Sequence, residues 1–138
     1  MPTSMPLPTS TIIYSDIDMS MNVNPITGDV LKKTGVNAIV QSVVNLIQLG
    51  HYEYPFHPEK GAGIRQLLFE LPSPVTCQLI SKEIRTVLDN FEPRVQTLDV
   101  VVEVSQTGTI SGYNVTVSFQ IVSVPQPITI SVFLERIR

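Results

Sequence analysis

The chain has 138 residues and a formal net charge of −3, with 43 % hydrophobic but only 15 % charged residues. Nine lysines and arginines scattered along an acidic chain leave no electrostatic footprint for nucleic acid, which requires clustered cations. The lone cysteine, Cys77, excludes an internal disulfide and any cysteine-based zinc site, and the length suits one domain with a core of its own.

So small a share of solvating charge points to a surface covered by partners. No apolar run approaches the roughly 18 residues of a membrane span. Met1 to Ser10 has no positive n-region, so the expectation is a protein neither secreted nor anchored by its own signal, folding in a reducing compartment. Pro2, Pro6 and Pro8 stand among few large apolar residues, so residues 1–11 read as an arm that orders only on a partner, ahead of one domain over 12–138.

From Ile13, the residues Ile17, Met19, Met21 and Val23 alternate with Asp16, Asp18, Ser20 and Asn22, the period of a half-buried strand. Asn24 to Asp29 supplies turn chemistry, and Val30 to Lys33 can pair back. Between Thr34 and Leu49, Val36, Ile39, Val40, Val43, Val44 and Ile47 recur at helical spacing, with Gly50 placed as the C′ residue. The opposite face holds Asn37, Gln41, Asn45 and Gln48, amides without charge, which suits either solvent or a second subunit.

His51 to Lys60 packs three aromatics and two prolines into ten residues, too apolar for a free loop, and is expected to pack as a fixed connector. Gly61-Ala62-Gly63 leads into a short amphipathic helix through Ile64, Leu67, Leu68 and Leu71, ended by Pro72; without a following Lys-Ser/Thr it is no phosphate loop. Ser73-Pro74 pairs an N-cap hydroxyl with proline at the first helical position, opening a helix to about Asn90 that turns Ile80, Ile84, Val87, Leu88 and Phe91 to one side.

Three strands follow. Leu98, Val100, Val102 and Val104 face one way in the first, Tyr113, Val115, Val117, Phe119 and Ile121 in the second, and Ile128, Ile130, Val132 and Leu134 in the third, which continues to Ile137. Helices gathered ahead of a C-terminal antiparallel sheet give an α+β domain: an extended N-terminal segment, then two long helices and a short one packed on about three strands.

Three segments, in this order, carry a resemblance: Gly50-His51-Tyr52-Glu53-Tyr54-Pro55-Phe56-His57-Pro58, then Gly61-Ala62-Gly63-Ile64 with Leu67-Leu68-Phe69-Glu70, then Glu92-Pro93-Arg94-Val95. From about Asp16 to Arg138 the chain resembles the gene 25-like baseplate wedge family of contractile phage tails, also found in type VI secretion baseplates. It departs from the Gly-Glu-Arg that often precedes Pro-Phe in that family, so no role of that arginine carries over. The resemblance implies a structural subunit of the virion tail, assembled in the host cytoplasm and lying near the tube or hub. It would be joined to other wedge proteins and would start polymerisation of the sheath protein.

Two contact surfaces are expected from this. Proline pushes Glu92 toward an extended conformation, so Glu92 and Arg94 around Pro93 project to one side as a rigid pair of opposite charges fit for a subunit contact, with an exposed Arg94 adding little to monomer stability. The last strand, through Ile128, Ile130, Val132, Phe133 and Leu134, leaves an edge whose backbone can accept a strand from the next chain. The rival reading is a lysozyme-like glycoside hydrolase, which needs two carboxyl groups roughly 5–10 Å apart. Glu53, Glu59, Glu70 and Glu92 are available, but no spacing fixes a pair and no tryptophan lines a sugar site. His51 and His57 lack a third ligand for a metal, so neither catalytic residue nor cofactor is expected. A generic binding module with no tail connection is the third reading.

Overall fold

The computed structural model describes residues 15–50, 53–122, 124 and 126–136, and of 32–34 the backbone alone. The arm expected over residues 1–11 and the end of the last strand at Ile137 lie outside the described residues. The described residues fall into two compact units, one ending at Ile39 and one beginning at Val40.

The first unit is a ribbon. Strands β1 (Ser15–Ile17) and β2 (Lys32–Thr34) pair antiparallel, and a single bridge joins Val23 to Val30. Between them Met21 takes a left-handed φ of 54° in a turn closed by its N–H on the Asp18 carbonyl, which cuts β1 short. Asn24 Oδ1 accepts from the Ile26 N–H at 2.9 Å and Gly28 takes a φ of 69°, so the turn falls where the sequence placed it. The strand period is only partly realised: Ile17, Met19, Met21 and Val23 all remain exposed, because a two-stranded ribbon of three residues a side is too small to bury a face of its own.

Helix α1 (Val36–Gln48) crosses from the first unit into the second. Ala38, Ile39, Val43 and Ile47 are buried; of the amide row Asn37 and Gln48 are exposed, whereas Gln41 is buried. Gly50 does not take the left-handed turn expected of a C′ residue; its N–H donates instead to the Glu53 carboxylate at 2.9 Å. Gly61 is the glycine that the backbone requires here. At a φ of 103° a Cβ would stand 2.6 Å from the Leu49 carbonyl oxygen, the same atom that accepts the Ala62 N–H.

Helix α2 (Ile64–Leu67) is a single turn, shorter than the pattern suggested, because Leu68 to Glu70 continue as turns and Leu71 is left exposed. Helix α3 (Pro74–Phe91) begins as read: Ser73 Oγ accepts from the Thr76 N–H at 3.1 Å with proline following. Ile80, Ile84, Val87 and Leu88 form its buried side.

The sheet is an antiparallel meander in the order β3 (Val95–Thr107), β4 (Ile110–Ile121), β5 (Pro127–Glu135), which with the preceding helices makes the architecture α+β. Central β4 turns Tyr113, Val115, Val117, Phe119 and Ile121 into the core, all fully buried, opposite Val132 and Leu134 of β5. In β3 a bulge between Thr97 and Asp99 breaks the register, so Leu98 is exposed and does not join Val100 and Val102.

Candidate functional site

Helix α3 ends where proline forbids another turn, and the chain reverses within three residues into β3. Glu92 caps the helix with a φ of −126° and a ψ of 76°, its N–H still on the Leu88 carbonyl. The Val95 N–H returns to the Glu92 carbonyl at 3.2 Å, and the Arg94 carbonyl accepts the Val122 N–H at 3.1 Å. The turn is thus pinned to α3 on one side and to the sheet on the other.

Its side chains meet each other. Arg94 Nε donates to Glu92 Oε1 at 2.6 Å and Arg94 Nη2 to Oε2 at 2.8 Å, a two-pronged ion pair, while Ser42 Oγ of α1 donates to Oε2 at 2.5 Å. The Glu92 side chain is only 3 % exposed and that of Arg94 31 %. Burial pushes the Glu92 carboxyl up, but the hydrogen bonds from Arg94 and Ser42 outweigh it and hold the group below its ordinary value. Glu92 is therefore withdrawn into the molecule, where it orients Arg94 and links α1 to the start of β3; of the expected charge pair, Arg94 is the member with surface to offer. Its guanidinium supports a buried carboxylate, so the expectation that it matters little to the isolated fold does not survive this geometry.

The second expected surface is the edge of β5. The Arg136 N–H donates to the Ser111 carbonyl at 2.9 Å, and in an antiparallel ladder the backbone groups of successive residues point alternately to the two sides. Ile128, Ile130, Val132 and Leu134 therefore give both their backbone groups to β4 and their side chains to the core side. Thr129, Ser131, Phe133 and Glu135 direct N–H and C=O outward, and among the described residues no hydrogen bond is made on that side. Of the five strand residues singled out in the sequence, only Phe133 has backbone available to an incoming strand. The signal that separates the two sets is parity along the strand, readable once one ladder bond is known. The Phe133 ring also lies over Gly112, within 3 Å of where a Cβ would stand, so it covers the gap that glycine leaves in the sheet.

Gly50 and residues 53–69 border a half-open pocket of about 580 Å³ lined by Glu53, Glu59, Arg65 and Phe69 among others. Glu53 accepts from the Gly50 N–H and from Arg65 Nη1, both at 2.9 Å. Glu59 pairs with His57, and hydrogen bonds from backbone and from His57 hold its carboxyl below the ordinary value. The connector from Glu53 to Glu59 is exposed, contrary to the expectation for His51 to Lys60, of which His51 and Tyr52 lie outside the described residues: Tyr54 meets Lys60 at 4.6 Å and the His57 ring at 6.1 Å, and Phe56, at a left-handed φ of 66°, is 97 % exposed. Two prolines and local turns hold it without a core. Among the described residues no three His, Cys, Asp or Glu side chains converge as a metal group, and no helix is long and apolar enough to cross a membrane.

Residues 33–125 match the family model of baseplate wedge protein gp25. The chain is 33 % identical over 88 residues to the baseplate wedge protein gp25 of Enterobacteria phage T4; the match spans 64 % of this chain and 66 % of that protein. Among solved structures it is similar to a putative tail lysozyme from Geobacter sulfurreducens (TM-score 0.67, 19 % identity, 74 % of this chain and 91 % of that one). It is also similar to a chain of the anti-feeding prophage baseplate (0.62, 18 %, 88 % and 84 %) and to one of the postcontracted pyocin R2 baseplate (0.52, 18 %, 82 % and 97 %). At these identities the solved structures speak for the fold, while the family model covers all three helices, the turn at Glu92 to Arg94, and all of β3 and β4. The chain therefore belongs to the family of baseplate wedge protein gp25.

Proposed function

We propose that this protein is a non-catalytic wedge subunit of the baseplate of a contractile tail, resident in the virion after assembly in the host cytoplasm. Its surface around Arg94 meets neighbouring wedge proteins near the tube or hub. Its β5 edge accepts a strand of the sheath protein and so starts the sheath. The observation that carries this reading is the outward backbone of Thr129, Ser131, Phe133 and Glu135 along a strand whose other side is fully paired, a ready template for strand addition.

The direct test is proline at position 131, written Ser131→Pro. Proline removes one outward N–H and is tolerated on an edge strand, while the β4–β5 ladder keeps all its bonds. Tails carrying Ser131→Pro should stop as baseplate with tube and no sheath. Normal extended sheaths on such particles would refute strand addition. Deleting Phe133 to Arg138 is the poorer test, because it also removes buried Leu134 and uncovers Gly112.

The hydrolase reading has one favouring observation, the likeness to a putative tail lysozyme. Glycoside hydrolysis needs an acid whose pKa is raised. Glu59 and Glu92 both move the other way, and Glu53 is tied to a backbone amide and an arginine. Purified protein should leave a peptidoglycan suspension turbid; clearing that is abolished by Glu53→Gln would reverse the assignment.

A further inference from the structure

The sheet has two outer strands, and they are built differently. In β3 the bulge at Leu98 shifts the parity of the ladder, so that Val100 directs its N–H and C=O away from β4. Both groups are satisfied by side chains. The Val100 N–H donates to Asp99 Oδ1 at 2.9 Å, and the Val100 carbonyl accepts from Ser81 Oγ of α3 at 3.0 Å. Arg85, one turn after Ser81, stands with Nη2 3.9 Å from Asp99 Oδ1. A neighbouring strand would lie roughly 4.8 Å from β3. A helix within hydrogen-bonding distance of the edge carbonyl already occupies that place.

We infer that Ser81 and Asp99 form a lock on the β3 edge, which leaves β5 as the side on which the sheet can be extended. The lock is a property of β3 alone; only the statement about β5 rests on the strand-addition reading above. Its use follows from symmetry. A chain with two open edges could pair its β3 with the β5 of a second copy, a head-to-tail contact that does not close and so grows into filaments. Sealing one edge lets each copy take a strand of another protein without polymerising with itself. Beyond the lock Val102, Val104 and Gln106 continue outward, but the helix at Val100 stops an incoming strand from running the length of β3 as it can along β5.

The test uses the full chain. Amide exchange in the wild type should show Val100 protected although it faces away from β4, and Asp99→Ala should speed exchange there about tenfold, the worth of one hydrogen bond to a charged group. In sedimentation velocity the wild type should stay monomeric as concentration rises, whereas Ser81→Ala with Asp99→Ala should self-associate. Arg85→Ala, which leaves both bonds to Val100, should behave as the wild type. Adding Ser131→Pro to the double variant should restore the monomer if the second copy docks through β5. Persistent association would uphold the lock while removing β5 as the pairing edge. Unchanged exchange at Val100 in Asp99→Ala, or a double variant that stays monomeric with Val100 exchanging faster, would overturn the lock.

Discussion

Replacing Arg94 by alanine isolates the interaction on which the turn after α3 depends. The substitution removes both prongs on a carboxylate whose side chain is 3 % exposed and leaves it the Ser42 hydroxyl and the backbone N–H of residue 94. Stripping one partner from a buried ion pair costs about 3–5 kcal/mol. The remaining Ser42 and backbone bonds, and water reaching the position of an arginine that is 31 % exposed, bring the expectation to about 2–4 kcal/mol. For a chain of this size that lowers the melting temperature by roughly 6–20 °C. Thermal and urea unfolding of the isolated protein measure it. Adding Glu92→Gln should recover part of the loss, since a neutral amide tolerates burial without a cation and still accepts from Ser42. A melting temperature within about 2 °C of wild type for Arg94→Ala, or a double variant weaker than the single by the full cost of Glu92→Gln, would show that the pair is not coupled as the geometry states.

Acid unfolding probes the same carboxylate. Because its folded pKa lies below the ordinary value of 4.5, Glu92 contributes stability that is complete above that value and fades as pH falls through the lower folded one; the gap between wild type and Glu92→Gln should therefore narrow below about pH 4.5. A gap independent of pH would contradict this. Gly61→Ala should cost about 2 kcal/mol or more in urea unfolding, since the new Cβ meets the Leu49 carbonyl at a φ of 103°. Ser73→Ala should cost about 1 kcal/mol by loss of the α3 cap. Tyr113→Phe should be neutral or stabilise by about 1 kcal/mol, because the Tyr113 hydroxyl is buried with no hydrogen-bond partner among the described residues; a clear drop in melting temperature would mean that the hydroxyl is satisfied.

The sequence by itself determined the α+β order of elements. Periodicity and capping chemistry act within a few residues, and they were strongest where local preference and burial agree: Ser73-Pro74 at the start of α3, and the five inward residues of β4. The resemblance carried by the Glu92-Pro93-Arg94 turn and the glycine segment before α2 led to the family that the comparisons establish. Local pattern misled where a two-stranded ribbon is too small to bury a face, as along Ile17 to Val23, and where an apolar segment is held by turns alone, as at Phe56. It also could not tell which member of a charge pair is buried. That depends on Ser42, fifty residues away, supplying a donor to Glu92. Nor could it tell the two sheet edges apart, because the bulge at Leu98 and the placement of Ser81 beside Val100 exist only once α3 lies along β3. Alternation fixes which side chains face the core, but the direction of each backbone amide is set by the ladder it joins, and that is a property of the tertiary structure.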